Sequence, residues 1–218
     1  RCSRQLSRRP SRRSRSAWRK PGLSPSSRAS RSPTYGPSRS AAVDEIERCA
    51  KDKRFVQVMV LVMGDTMLGR RHNWPIYAAA ARHGLPVGIH AGSGYRHPVT
   101  TVGWPSYYTE DYAAQSQAFQ SQLSSLITEG VFQKHPSLKV VMLESGFTWL
   151  MPLLWRLTKY WKGTRIEIPW VDRSSEEIVR EHVRFSLQPF DAPPGRDDME
   201  KLFEHVGSGD LLLFSTDY

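Results

Sequence analysis

The sequence has little cysteine and no long apolar segment. Its 218 residues include two cysteines, Cys2 and Cys49, which are too few for a disulfide framework and indicate a reducing compartment. No run of about 18 apolar residues occurs, and the N-terminus lacks the apolar core of a signal peptide. We therefore expect a cytoplasmic protein with no membrane partner.

Acidic side chains are absent from residues 1–40, which hold eleven arginines, one lysine and twelve serines. Residues 41–218 carry 19 basic and 21 acidic side chains, so the formal net charge of +10 comes from the first segment alone. This segment has too few aliphatic side chains to bury the apolar surface that would offset the entropy of ordering. Residues 1–40 are therefore predicted to be a disordered tail.

Three interpretations of this tail stay open. Its charge suits a nucleic-acid-binding arm, which would make the chain a nucleic-acid-binding protein. Its arginine- and serine-rich composition is also typical of a targeting peptide. The abrupt change of composition near residue 41 favours the third interpretation, in which the segment is not a genuine coding sequence. No interleaved aromatic platform supports nucleic-acid binding, which is kept as the alternative function.

Apolar runs alternate with helical patterns along residues 41–218. Strands are predicted at 55–62, 86–90, 138–143, 183–187 and 211–217. Between them, apolar residues recur every three or four positions, as in helices packed on one side. The spacing of about 30 to 50 residues fits successive βαβ units and a parallel sheet. The pattern predicts an α/β fold, either a barrel or a doubly wound open sheet.

Glycine-rich phosphate-binding motifs are also missing, because neither G-x-G-x-x-G nor G-x-x-x-x-G-K-[ST] occurs. Three strands end instead in an ionisable side chain: His90, Glu144 and Asp217. The carboxyl ends of parallel strands share one rim, where imidazole and carboxylate groups can form a metal site or an acid–base cluster. His97, in the loop after His90, is a candidate supporting residue on that rim.

The three ionisable residues lie in the segments Gly-Ile-His90-Ala-Gly-Ser, Val-Val-Met-Leu-Glu144-Ser-Gly-Phe and Leu-Leu-Phe-Ser-Thr-Asp217-Tyr. These motifs resemble those of the amidohydrolase-related proteins, and the resemblance covers roughly residues 41–218. The most similar branch includes aminocarboxymuconate semialdehyde decarboxylase and the resorcylate decarboxylases. This resemblance implies a metal-binding (β/α)8 barrel, in which the five strands of this chain would be the fourth to the eighth.

The resemblance also implies roles for these residues. His90 would be a metal ligand, and Asp217 a carboxylate that binds the metal and handles a proton. Glu144 stands where relatives carry a catalytic histidine, and it would either replace that base as a catalytic residue or only shape the pocket. The metal would be a divalent ion, zinc, and the substrate a small organic acid or amide that is hydrolysed or decarboxylated without oxidation. The His-x-His pair of the family is absent, so we expect a truncated piece that is inactive alone.

The segment 147–161 reads as a helix that is apolar on nearly all sides. Such a helix must be covered on two faces. The following loop can supply the second cover, or a second copy of the chain can do so in a homo-oligomer, which the pattern slightly favours. A non-catalytic partner in oligomers of the family is a further alternative.

Overall fold

The computed structural model of the chain describes residues 39–93, 97–207 and 209–216. The predicted tail lies outside these residues, except for the last two positions, which open the first helix. Its disorder and its partners therefore stay predictions. Asp217 also lies outside the described residues, so its place at the rim stays a prediction as well.

Seven helices and five strands alternate along the described residues. The strands are β1 (Val58–Met63), β2 (Val87–Ser93), β3 (Val140–Leu143), β4 (Val183–Ser186) and β5 (Leu212–Leu213). The helices are α1 (Arg39–Cys49), α2 (Trp74–Arg82), α3 (Tyr108–Thr128), α4 (Val131–Lys134), α5 (Leu150–Thr164), α6 (Ser175–His182) and α7 (Arg196–Val206). Short 3-10 turns cover Arg71–Asn73, Arg165–Glu167 and Gly209–Leu211.

The five strands form one parallel sheet in the order β1-β2-β3-β4-β5. A doubly wound sheet reverses its strand order at a switch point, whereas the strands of a barrel follow one another in chain order. The observed order therefore matches part of a β/α barrel. The predicted α/β fold is confirmed, and of the two architectures the sheet has the arrangement of a barrel.

The two faces of the sheet differ in what covers them. Val87 and Ile89 of β2 are buried in the hydrophobic core that the helices share, and so are Val140 and Met142 of β3. Because side chains alternate along a strand, Gly88 and His90 point to the other face. There the position of Gly88 lies against the side chains of Gln57 and Leu143. The second face is thus the one that carries His90.

A buried glutamine fixes the segment after β1 to helix α3. The Gln122 side chain accepts a hydrogen bond from the Leu68 N–H at 2.7 Å and donates one to the Val62 carbonyl at 2.7 Å. The Val62 carbonyl belongs to the end of β1, and the Leu68 N–H belongs to the segment that follows the strand. Gln122 therefore satisfies one backbone group on each side of the point where β1 ends.

Helix α5 begins three residues later than the predicted segment 147–161 and ends three residues later. Leu150, Met151 and Leu154 are buried in the core. Trp155 and Tyr160 stay about half exposed, at 50% and 52%. The protein thus covers one stripe of this helix and leaves two large aromatic side chains on its outer side. Among the described residues, no helix combines the length and the apolarity needed to cross a bilayer.

Candidate functional site

His90 lies at the carboxyl-terminal part of β2, with a defined arrangement of its ring nitrogens. The Nδ1 atom is 2.7 Å from the carbonyl oxygen of Ala91. A carbonyl oxygen only accepts hydrogen bonds, so the proton of the neutral ring resides on Nδ1. The lone pair is then on Nε2. This is the arrangement in which a histidine binds a metal ion or receives a proton.

Glu144 follows β3 directly and brings its carboxylate to that lone pair. The Nε2 atom of His90 is 3.2 Å from Oε1 of Glu144, and the two side chains are 32% and 31% exposed. In the ladder between β2 and β3, His90 is opposite Leu143, so Glu144 is one residue beyond its partner. The structure therefore brings two of the three predicted residues together at one rim of the sheet.

The His90–Glu144 pair needs a positive charge between its two atoms. Both Nε2 and Oε1 offer lone pairs, so a proton or a cation must link them at this distance. Two ligands of one ion lie about 3.0–3.4 Å apart when each bond is about 2.1 Å long. Imidazole nitrogen and carboxylate oxygen are ligands that zinc and manganese accept. The donor atoms of the pair therefore fit a divalent metal ion.

The third predicted residue, Asp217, lies outside the described residues, and the segment before it follows β5. The Ser215 hydroxyl accepts a hydrogen bond from the Gln188 N–H at 3.1 Å, just beyond the end of β4. Within the part of the chain that the structure describes, no three His, Cys, Asp or Glu side chains are grouped to hold a metal ion. A third ligand from Asp217 stays a prediction.

A cavity of about 640 Å³ opens beside Glu144. Its walls include the aromatic rings of Tyr108, Tyr112 and Trp149 and the carboxyl groups of Asp111 and Asp191. The rings of Tyr108 and Tyr112 meet edge to face with their centroids 4.7 Å apart. A cavity of this size, with aromatic side chains and several carboxyl, hydroxyl and amide groups in its wall, is large enough for a small organic ligand.

Asp191 is a cavity residue that the sequence analysis missed. Its carboxylate lies over Gly146, where an added Cβ would stand 2.6 Å from Oδ2 of Asp191. Gly146 also has a φ of 62°, so a glycine suits this position on two grounds. The available signal was the carboxyl group of Asp191 itself, in the segment that follows β4 at the same rim as Glu144.

His97 does not offer a free lone pair to a metal ion. Its Nε2 atom is 2.9 Å from the carbonyl oxygen of Gly64, and its Nδ1 atom is 3.0 Å from that of Pro98. Since both partners accept, both nitrogens must donate, and these two contacts raise the pKa of His97 above its usual value. His97 therefore ties the loop after β2 to the end of β1.

The Amidohydrolase family model matches residues 25–218. The chain belongs to this family. The match begins inside the predicted tail and includes all three motifs that carry the resemblance. None of the curated proteins compared with the chain matches it.

Solved structures of amidohydrolases share this fold. An amidohydrolase from Mycobacterium avium subsp. paratuberculosis K-10 is 27% identical, with a TM-score of 0.65 over 86% of this chain and 47% of that one. A dihydroxybenzoic acid decarboxylase from Polaromonas sp. JS666, with bound manganese and 2-nitroresorcinol, is 20% identical. Its TM-score is 0.60 over 83% of this chain and 55% of that one.

A 5-carboxyvanillate decarboxylase from Sphingomonas paucimobilis is also 20% identical, with a TM-score of 0.58 over 81% of this chain and 52% of that one. The chain thus spans about half the length of these structures. The predicted membership of the amidohydrolase-related proteins and the predicted partial barrel are confirmed.

Proposed function

We propose that this chain is part of a metal-dependent enzyme that hydrolyses or decarboxylates a small organic acid or amide. The observation that carries the proposal is the approach of His90 Nε2 to Glu144 Oε1 at the rim of the sheet. Its support is the family membership and the manganese bound in the related decarboxylase from Polaromonas. The adjoining cavity, of about 640 Å³, is large enough for a small organic substrate.

Each residue has a separate role in this proposal. His90 would hold the ion through the Nε2 lone pair and Glu144 through Oε1 beside it, and Asp217 would supply a third ligand. A divalent ion held there would supply Lewis acidity to a substrate oxygen. Glu144 faces the cavity and moves a proton to or from the substrate, as a partly exposed carboxylate beside the reacting group can. Tyr108, Tyr112 and Trp149, which line the cavity, contact the substrate and orient it.

The metal ion and the completeness of the site are further parts of the proposal. Zinc is the predicted ion, whereas two related structures hold manganese. The His-x-His pair that the family resemblance implies as two further ligands is absent from the sequence. We therefore propose that the 218-residue chain alone binds the ion weakly and has no activity of its own.

Titration calorimetry with zinc chloride and with manganese chloride tests the site. His90→Ala is expected to weaken binding roughly tenfold or more, because it removes a ligand. The matched control is His83→Ala, because His83 pairs with Glu47 at 2.7 Å in another exposed histidine–glutamate contact, between α1 and α2. If the wild type and His90→Ala bind these metal ions with equal affinity, the proposed metal site is refuted. One tightly held ion per wild-type chain would refute weak binding.

We also propose that helix α5 contributes to a contact between two copies of the chain. Trp155 and Tyr160 support it, because both aromatic side chains stay about half exposed and interfaces are enriched in such residues. Sedimentation velocity of the wild type and of Trp155→Glu tests this contact. A monomeric wild type would contradict it.

A further inference from the structure

The backbone of Glu144 has a conformation that glutamate rarely adopts. Its φ is 55°, and within the described residues it is the single non-glycine residue with a positive φ. The left-handed conformation brings Cβ close to the following carbonyl oxygen, which disfavours it for every residue except glycine. Something in the surroundings must therefore hold Glu144 in place.

This conformation decides where the Glu144 carboxylate points. Strand alternation would place residue 144 on the side of Val140 and Met142, which are completely buried under the helices. The left-handed turn instead directs the side chain to the rim, where it meets Nε2 of His90. The contact with His90 thus depends on a turn that the glutamate itself disfavours.

Ser186 at the end of β4 makes the contact that holds this turn. Its hydroxyl oxygen accepts a hydrogen bond from the Glu144 N–H at 3.1 Å and donates one to the Gln188 carbonyl at 3.2 Å. The backbone ladder between β3 and β4 ends at Met142 and Phe185, so the Glu144 N–H lies beyond the last pair. Ser186 is only 3% exposed, so its hydroxyl is directed by these two partners rather than by water.

The same line of contacts reaches the next strand. The Gln188 N–H donates to the Ser215 hydroxyl at 3.1 Å, so the ends of β3, β4 and β5 are joined by side-chain hydroxyl groups. Ser186 lies in the middle of this line of hydrogen bonds. Among the described residues, it is the member of the line that contacts Glu144 directly. Its loss would release the turn that aims the carboxylate.

We propose that Ser186 is a positioning residue that holds the Glu144 carboxylate against His90. The inference rests on the proposed function, because the purpose of this arrangement is the metal and proton chemistry of the pair. Ser186 itself touches neither substrate nor ion. It acts through the backbone of Glu144.

The test compares Ser186→Ala with Ser186→Thr, which keeps the hydroxyl, and with Ser125→Ala as a matched control. Ser125 is also buried, and its hydroxyl also accepts a backbone N–H, that of Gly69 at 3.2 Å, away from the site. Two quantities are measured on the full chain: hydrogen exchange of the Glu144 amide by NMR, and manganese affinity by calorimetry. Glu144→Gln is titrated in parallel.

Ser186→Ala is expected to lose the protection of the Glu144 amide and to weaken manganese binding roughly tenfold. Ser186→Thr should keep both, and Ser125→Ala should change neither. If Ser186→Ala does not fold, Ser186→Cys, which has a weaker acceptor of similar size, takes its place. If the Glu144 amide exchanges as slowly in Ser186→Ala, or in Ser186→Cys in its place, as it does in the wild type, the proposal is overturned.

The outcomes separate this inference from the proposed function. If Glu144→Gln binds manganese as the wild type does, the proposed role of Glu144 fails, and amide exchange alone then decides whether Ser186 holds the turn. If Glu144→Gln weakens binding and the variant without the Ser186 hydroxyl does not, the proposed function stands and the positioning role is refuted.

Discussion

The imidazole of His182 lies nearly parallel to the ring of Phe132, with ring centroids 4.7 Å apart and an angle of 25° between the planes. The Nδ1 atom of His182 is 2.9 Å from the carbonyl oxygen of Leu138, so this nitrogen carries the proton. The side chain is completely buried, and burial lowers the pKa of His182 in spite of that contact. This histidine packs as a neutral aromatic ring below the sheet, at the end opposite the site.

The first prediction concerns acid stability. The unfolded chain binds a proton at His182 near pH 6.5, whereas the folded chain binds it only at lower pH. The unfolded state therefore gains protons first, and the free energy of unfolding should fall as the pH drops below about 6.5. Urea unfolding at pH 7.5 and 5.5 measures this fall.

The matched variant for that measurement is His182→Asn, which can still donate to Leu138. It should be less stable at pH 7.5 because a stacked ring is lost, yet its stability should depend less on pH. Burial also lowers the pKa of His135, but His135 is present in both proteins. Equal pH dependence of the wild type and the variant would contradict the prediction.

The second prediction has the opposite sign and concerns His97. The carbonyl groups of Gly64 and Pro98 raise the pKa of His97, so the folded state keeps this proton to a higher pH than the unfolded state does. The contribution of His97 to stability should be complete below about pH 6.5 and should vanish as the pH rises through its folded pKa. We expect the difference in unfolding free energy between the wild type and His97→Ala to become smaller as the pH rises from 5.5 to 8.5. A difference that grows with pH would exclude this explanation.

The third prediction concerns the strained turn at Glu144. Glu144→Ala and Glu144→Gly both remove the carboxylate, but only glycine adopts a φ of 55° without strain. We expect the glycine variant to be more stable than the alanine variant by about 1 kcal/mol. Chemical denaturation of the two variants measures this difference directly. An alanine variant of equal or greater stability would show that the turn is not held in this conformation in solution.

The fourth prediction concerns the buried side chain of Gln122. Gln122→Leu removes the partners of the Leu68 N–H and the Val62 carbonyl without opening a large cavity. Two unsatisfied buried backbone groups should lower the free energy of unfolding by about 2–4 kcal/mol. Gln117→Leu, at an exposed position of the same helix, should change it by less than about 0.5 kcal/mol. If the two variants lose similar amounts of unfolding free energy, the Gln122 side chain does not stabilise the protein through these two hydrogen bonds.

The order and type of the main elements could be predicted from the sequence because periodicity reports burial. The runs around Val60, Ile89 and Val141 are apolar over a whole strand length, and the structure places a strand at each. The position of His90 also followed, since it continues the alternation of β2 toward the face opposite the helices. The short helix α4 was missed, because four residues are too few to show a helical period.

The geometry of the site was less accessible to sequence reasoning. Glu144 was predicted at the rim, but the left-handed turn that aims it is not a preference of glutamate. The turn depends on Ser186, which is 42 residues away in the chain, and no local pattern reports such a pair. Asp191 was missed for the same reason, because its relation to Gly146 appears only when the ends of β3 and β4 are side by side.

The oxygen that fixes the protonated nitrogen of His90 belongs to Ala91, the very next residue. The main chain thus determines which nitrogen of the neutral imidazole carries the proton, and no residue of the cavity wall is needed for that contact. A protein engineer could replace Asp111, Asp191 or the two tyrosines of the cavity wall to admit other molecules, without rotating the ring. The ligand selectivity of the cavity and the availability of the Nε2 lone pair of His90 can therefore be changed separately.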